Sequence, residues 1–549
     1  MNVAQSIASS LVSLGIKRVY GLVGVSILDL LDSIKQSPVR YISTRHEQVA
    51  VSMADAEGRL LHKPGVAVVH AGPGLLNSMI SIANAYKDSS PLLVITGGVR
   101  RRMKGLDSWL EVDQLSMVKP ITKFYARIEK PSQTSMIISE AYSASSSPPY
   151  GPAVVEVPED LWEVEAGEDI AEAVPSKVEQ PKEEEVRRVA MLLEESSKPL
   201  ILAGGGVNNQ EASEYLKQLC HYHSIPVIVT GNGRGAFPED DELFVGRAGF
   251  GGGSMAADYA LEEADLLISI GAGISDVTTY GYLIMPKGKK VVVDLDKMAE
   301  KKPVNLFMHL HCDATSFLKL LLNYNITNRR REEWMDVISS KKKEWQDMLD
   351  VSASKSDTLW VNPSRFFRAL DHSLPDDAIV TAGQGVHIVY TYDYLKIKKP
   401  NSFLAATNFG AMGFAFPAAL GAKVSVPERT VIAVLGDGEF LMTLQDLETA
   451  VREKIGVKVI VLNDNSYRVL YLRQKLQKMG RLIGTTHSNP DFVKLAEAFG
   501  AEALTISSDN QIEEAVNFVI QKGSNPAILE LKINPDEMPP LNLEPSSRF

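Results

Sequence analysis

Two acidic residues, Asp437 and Asp464, occupy matching places in the run TVIAVLGDGEFLMTLQDLETAVREKIGVKVIVLNDNSY. An apolar stretch ends at Gly436-Asp437-Gly438, a helix-like stretch follows, and a second apolar stretch ends at Asn463-Asp464-Asn465. One β-α-β unit spans that distance, so both carboxylates can emerge at the carboxyl edge of neighbouring parallel strands, where such sheets place ligands. Two oxygen ligands beside a helix N-terminus suit Mg²⁺ bridging two phosphates. The cation wants hard oxygens, and glycine lets backbone N–H groups approach the anion. A lone G-D-G is ordinarily only a turn; the second acid, one β-α-β length on, makes it a candidate site.

Other chemistry-bearing residues lie far from this pair. Glu47 heads a helix after a short strand (39–44) in YISTRHEQVAVSMADAEGRL, where an acid is ordinarily a partner for the helix dipole. Gly72-Pro73-Gly74 opens a helix after VAVVHA, a turn that lets backbone approach a ligand. His70 ends that strand; its side chain titrates near neutrality and suits proton transfer, or it is a packed strand-end histidine. Gly385-Val386-His387 follows AIVTAGQ, and Met412 lies in FGAMGFAFPAALGAK, where a methionine is ordinarily core.

The elements that position these residues form a repeating pattern. Runs such as VAVVHAG, PLLVITGG, AVVEV, PLILAGGG, IPVIVTG, DLLISIGAG, KVVVDLD, AIVTAGQG, TVIAVLGDG, VKVIVLND and PAILELKI alternate with helix-length segments. Continuous apolar strands of this kind belong to parallel sheets covered on both faces. The charged stretches VPSKVEQPKEEEVRRV and NRRREEWMDVISSKKKEWQDMLD punctuate the chain, the second reading as a solvated helix between domains. The fold class is α/β, with three doubly wound parallel-sheet domains over residues 1–170, 186–325 and 360–549. At 549 residues the chain is long enough for three such units.

The net charge of −11 argues against a nucleic-acid partner. Arg100-Arg101-Arg102 and Arg329-Arg330-Arg331 are local exceptions, read as solvated charge or as contacts for a phosphate-bearing ligand. No apolar run approaches the roughly 20 residues of a membrane span. No signal peptide is expected from the Ser-broken N-terminal rhythm. Cys220 and Cys312 make no disulfide framework and suit a reducing, cytoplasmic setting.

The G-D-G…N-D pattern, Arg45-His46-Glu47 and the segment G-P-G-x-x-N…A-x-x-D-S-x-P-L-L-x-I-x-G together resemble the thiamine-diphosphate-dependent enzymes of the acetolactate synthase, pyruvate oxidase and benzoylformate decarboxylase group. The resemblance spans nearly the whole chain and implies pyrimidine-binding, central Rossmann-like and diphosphate-binding domains. It implies Mg²⁺ held by the side chains of Asp437 and Asp464 and the carbonyl of Ser466. Cofactor contacts are implied for Gly72, Pro73, Gly385, His387, Met412, Gly436, Gly438, Glu439 and Tyr467, with Met412 wedged between the two cofactor rings. Glu47 would act on the aminopyrimidine so that the thiazolium carbon loses its proton, and His70 would relay protons. A second histidine used by benzoylformate decarboxylase falls near Thr278.

The implied reaction is decarboxylation or carboligation of small 2-oxoacids, in a homodimer or homotetramer whose active sites lie between subunits. A 2-hydroxyacyl-CoA lyase using Arg100 to Arg102 is one alternative, and a non-catalytic nucleotide-binding relative another. In the central domain an empty scaffold is expected ahead of FAD or ADP on Gly204-Gly205-Gly206 and Asp294, because Gly273 stands where nucleotide-binding relatives carry arginine. Leu110 replaces the glutamine of F-Q-E-x-D in the phrase Trp109-Leu110-Glu111…Asp113, PEDLW lacks the usual lysine, and Val386 replaces the glutamine of G-Q-H.

Overall fold

The computed structural model describes residues 1–174, 178–326 and 331–540. It contains three six-stranded sheets in which every strand pair is parallel. The first holds β1 (Arg18–Gly21), β2 (Arg40–Ser43), β3 (Gly65–Val69), β4 (Leu92–Gly98), β5 (Phe124–Arg127) and β6 (Pro152–Pro158). The second holds β7 (Pro199–Ala203), β8 (Val227–Val229), β9 (Phe244–Arg247), β10 (Leu266–Ile270), β11 (Lys289–Val293) and β12 (Met308–Leu310). The third holds β13 (Ile379–Ala382), β14 (Phe403–Ala405), β15 (Val431–Gly436), β16 (Lys458–Asn463), β17 (Glu502–Ile506) and β18 (Ala527–Lys532).

Strand order is β2-β1-β3-β4-β6-β5 in the first sheet and β14-β13-β15-β16-β18-β17 in the third. Counted within each unit, these are one and the same order. The central sheet runs β12-β11-β10-β7-β8-β9, with the switch point between β7 and β10, the order of a dinucleotide-binding fold. Inner strands such as β3, β4, β7, β10 and β16 are buried at every residue, which is why they read as unbroken apolar runs.

The first and third units share a core. The helices Glu47–Leu61 and Ala415–Ser425 lie against each other and contribute Val49, Met53, Ala418 and Ala419 to one buried cluster. Gly421 makes the approach close, because a Cβ there would collide with the Met53 carbonyl. Asp88 joins all three units. It pairs with Arg59 at 3.3 Å and accepts Asn232 Nδ2 at 3.0 Å and the Asn408 backbone N–H at 3.0 Å. Arg59 also pairs with Asp55 at 2.8 Å and donates to the Ala405 carbonyl at 3.0 Å. Removing one member of such a buried charge group typically costs about 3–5 kcal/mol.

Two expectations about charge need correction. The helix Glu332–Ser354 is solvated on one face only; it buries Trp334 and Ile338 in a central-domain cluster and Trp345 and Leu349 in a third-domain cluster. Arg331 is buried and donates to the carbonyls of Leu193 (2.8 Å), Ser196 (3.4 Å) and His223, so it is a structural clamp. Arg329 and Arg330 lie outside the described residues, as do residues 175–177 of the first charged stretch. Among the described residues no helix is long and apolar enough to cross a membrane.

Candidate active site

β15 and β16 pair with Gly436 opposite Leu462, so the two acids leave the sheet side by side. Asp437 Oδ1 accepts the Gly438 N–H at 2.9 Å, while Oδ2 accepts the Asn465 N–H at 2.9 Å and Asn489 Nδ2 at 2.6 Å. Asp464 Oδ1 accepts the N–H of Ser466 at 3.0 Å and its hydroxyl at 2.8 Å, and Oδ2 pairs with Arg468 at 3.0 Å. Burial raises the Asp464 pKa above the usual carboxylate range and the negative charge of Asp437 adds to this, while Arg468 and the Ser466 hydrogen bonds oppose it. Two buried carboxylates that repel each other suit a divalent cation.

Glu439 ties neighbouring loops to this edge. Its Oε2 accepts the Gln384 N–H at 2.7 Å and its Oε1 the Gly413 N–H at 3.0 Å, fixing the turns that carry Gly385-Val386-His387 and Met412. Met412 stands in the turn ahead of the helix Ala415–Ser425, not on the helix itself. The Tyr467 ring packs on the His487 ring with centroids 4.9 Å apart.

Around this edge several buried polar atoms lack hydrogen-bond partners: Gln384 Nε2, His387 Nε2, both His487 ring nitrogens and Asn489 Oδ1. His487 Nε2 lies 3.3 Å from Asp437 Oδ2 and His387 Nε2 lies 3.6 Å from Glu439 Oε2, close enough for charge attraction but without hydrogen-bond geometry. Unpaired buried polar atoms are costly, and the Gln384 Nε2 donor with the ring nitrogens of His387 and His487 marks a place for an anionic ligand, whereas Asn489 Oδ1 can only accept. These residues fit a Mg²⁺–diphosphate group. His487 and Asn489 escaped the sequence reading, since nothing in their own segment sets them apart; the fold alone brings them beside Asp437.

A second edge is built by the first unit. Glu47 begins its helix after a loop in which the His46 ring caps the Gln48 N–H at 3.1 Å. The Glu47 side chain is buried, and its Oε2 accepts Asn77 Nδ2 at 3.0 Å. His70 is a near neighbour: a Cβ on Gly74 would sit 3.2 Å from Glu47 Oε1 and 3.0 Å from His70 Cβ. Ser26 Oγ lies 2.7 Å from His70 Nδ1 and accepts the Ala71 N–H at 2.9 Å. The Ser26 N–H also points at Nδ1, at 3.4 Å, so Nδ1 serves as an acceptor and the ring proton is assigned to Nε2. Burial lowers the His70 pKa against the opposite pull of Glu47, favouring the neutral ring.

Gly72, at φ +63°, has its N–H bound to Gln114 Oε1 at 2.8 Å. Pro73 opens the helix Pro73–Lys87. Asn77 is the asparagine of the quoted G-P-G-x-x-N pattern, whereas Ser26 and Gln114 carry no local signal. Thr278 lies in the central unit, its hydroxyl 3.0 Å from that of Ser275.

Among the described residues no hydrogen bond or ion pair joins Glu47 or His70 to Asp437, Asp464 or His387. Apolar side chains stand exposed in both units: Val23, Val25, Leu28, Leu76 and Ile80 in the first, and Leu470, Leu476, Met479 and Ile483 in the third.

Two α/β units of one strand order, one presenting a carboxyl and an imidazole and the other paired aspartates among unpaired buried polar atoms, have the layout of a cofactor enzyme built from a duplicated architecture. Comparison with known proteins makes this specific. Residues 1–117 match the family described as thiamine pyrophosphate enzyme, N-terminal TPP binding domain; residues 186–321 match its central domain and residues 383–531 its C-terminal TPP binding domain. A probable acetolactate synthase large subunit of Methanocaldococcus jannaschii is 35% identical over 98% of this chain and 93% of its own. The acetolactate synthase large subunit of Buchnera aphidicola is 29% identical over 97% and 95%, and the acetolactate synthase of Mycobacterium bovis 30% over 97% and 88%. The chain belongs to the thiamine pyrophosphate enzyme family and is a thiamine-diphosphate-dependent enzyme.

Proposed function

We propose that this enzyme decarboxylates a small 2-oxoacid and transfers the remaining acyl unit to a second carbonyl compound, as an acetolactate synthase does. The observation that carries the reading is the presence of both an Asp437–Asp464 edge with unpaired polar atoms and a Glu47–His70 edge, on a chain 98% of which aligns with a probable acetolactate synthase large subunit.

In this reading Asp437, Asp464 and the Ser466 carbonyl would hold Mg²⁺, and Gly438, Gln384, His387 and His487 would line the diphosphate end. Glu439 fixes the Gly413 turn and with it Met412, which supports the cofactor rings. Gly72 and Pro73 shape the turn beside the pyrimidine, with Gly385, Gly436 and Tyr467 lining the diphosphate end. When bound, thiamine diphosphate supplies a nucleophilic carbon and an electron sink. Glu47, buried and held by Asn77, would hold or release a proton at its carboxyl beside the pyrimidine ring. His70, neutral and carrying its proton on Nε2, donates toward the substrate's oxygen.

A complete site then takes Glu47 from one subunit and Asp437 from another, in a homodimer or homotetramer whose interface covers the exposed apolar residues of both units. Unpaired, buried Cys220 and Cys312 support a cytoplasmic setting. The central domain enters no step. The N–H groups of Gly204 and Gly206 are bound to the carbonyls of Ile270 and Gly271, both at 3.0 Å, so these two amides are not free for an FAD or ADP phosphate. In the CoA-lyase alternative Arg100 and Arg101 would have to leave their exposed pairs with Glu159 and Asp160.

Mass spectrometry of products from a panel of 2-oxoacids and 2-hydroxyacyl-CoAs, with Mg²⁺ and thiamine diphosphate supplied, tests the proposal. A 2-hydroxy-3-oxoacid formed with release of CO₂ is expected. Turnover of the CoA thioesters alone, or of nothing in the panel, would overturn it.

A further inference from the structure

The loop that delivers Glu47 is gripped by the third unit of its own chain. Asp446 closes the short 3-10 turn Leu444–Asp446 and is fully buried. Its Oδ1 accepts the Arg45 backbone N–H at 2.8 Å and the Thr449 hydroxyl at 2.7 Å, while Oδ2 has no partner. The helix that follows, Leu447–Arg452, adds contacts: Glu448 pairs with Arg45 at 2.8 Å, and Arg452 donates to the Ser43 carbonyl. Of these contacts only Asp446 is a buried charge bonded to the backbone between β2 and the Glu47 helix. The Arg45 side chain is about half exposed, so its ion pair contributes little.

We propose that Asp446 is a positioning residue for Glu47: it sets the register of the Arg45-His46-Glu47 turn and so the aim of the carboxyl. The consequence is directional. Asp446 lies on the same stretch of chain as Asp437, yet it serves the site to which its own chain contributes Glu47, which in the intersubunit reading is not the site that uses its own Asp437. The inference rests on that reading of the assembly.

Differently tagged chains co-purified as hybrids test both points. An E47Q chain paired with a D437A chain regains one working site if sites form between subunits; no recovery would defeat the intersubunit reading and with it this inference. Asp446→Ala is then added to one chain or to the other. The two resulting hybrids hold the same set of substitutions, so any general folding cost is shared. On the E47Q chain the change should leave kcat near that of the parent hybrid. On the D437A chain, which supplies the working Glu47, kcat should fall about ten- to a hundredfold with little change in KM. Equal loss in both, or the reverse pattern, would overturn the proposal. Asp446→Asn, which keeps an acceptor for the Arg45 N–H, should restore the rate when placed on the D437A chain; loss as deep as with alanine counts against it. Hydrogen exchange at the Arg45 amide, read without cofactor, should speed up in the alanine variant and stay slow in the asparagine one, and unchanged protection in the alanine variant would likewise refute the anchor.

Discussion

The first and third units place equivalent strands in equivalent positions and load them differently. After β2 the chain delivers Glu47; after β14, its counterpart, it delivers Met412 and Gly413, pinned by Glu439. After β3 come His70 and Gly72; after β15 come Asp437 and Gly438. The helices following β2 and β14 then pack on each other, so the duplicated sheets share a core. One scaffold thus carries a buried carboxyl and an imidazole at one edge and paired carboxylates at the other, with the difference at the carboxyl ends of the strands. The comparison teaches that these sheet positions are generic and that the chemistry is decided by a few side chains at their ends.

The largest effect should come from breaking the metal edge. Asp437→Ala removes the carboxylate around which Asn465, Asn489 and His487 gather. Mg²⁺-dependent cofactor affinity should fall beyond the roughly 100-fold that losing an outer partner of a metal ligand can cost. Calorimetry with undiminished affinity would return this edge to a structural role. The proton-handling edge should behave oppositely. Glu47→Gln keeps a hydrogen-bonding group opposite Asn77, so binding should survive while exchange of the cofactor's thiazolium proton, followed by NMR, is lost. A drop in kcat of about 10²–10⁴-fold accompanies loss of such a group, and unchanged exchange would dismiss Glu47 from the chemistry.

Smaller effects separate residues within the first unit. His70→Ala should slow turnover more than it weakens cofactor binding, and wild-type kinetics would make His70 a packed strand-end residue. Ser26→Ala frees the His70 tautomer without removing the ring, so its loss in kcat should be shallower than that of His70→Ala. If the two losses were equal, Ser26 would have to act directly on substrate.

What could be read from residue order follows the same division between generic scaffold and specific ends. Strands buried on both faces, such as VAVVH and VKVIVLN, announce themselves as continuous apolar runs. Five of the six edge strands do not: β5, β9, β12, β14 and β17 are short or half-exposed and none stood out in the pattern, whereas β2 was read as the short strand ahead of Glu47. Asp437 and Asp464 drew attention by their spacing, and Glu47 by the resemblance of Arg45-His46-Glu47 to a family motif. Ser26, Gln114, His487 and Asn489 drew none, because each reaches its partner through the fold and carries no periodic or local mark. The helix Glu332–Ser354 misled in the other direction, its dense charges hiding Trp334 and Trp345, which anchor it to two cores.

The seam between the two compared units offers the subtlest prediction. Burial pushes the Asp446 pKa up to about 6 from 3.8, and the Arg45 N–H and Thr449 hydroxyl only partly offset it. Between those values the folded chain keeps a proton that the unfolded chain has released. Stability contributed by this residue is therefore present in acid and is lost as pH rises through about 6. Asp446→Asn keeps the acceptor and removes the titration, so its stability relative to the wild type should climb over that window, by up to roughly 3 kcal/mol for a two-unit shift. Melting temperatures of both proteins across the window measure it. Parallel curves would mean that the seam admits enough water or counter-charge to ionise Asp446 freely, and the two units would then be joined by packing of the Glu47–Leu61 and Ala415–Ser425 helices rather than by this buried acid.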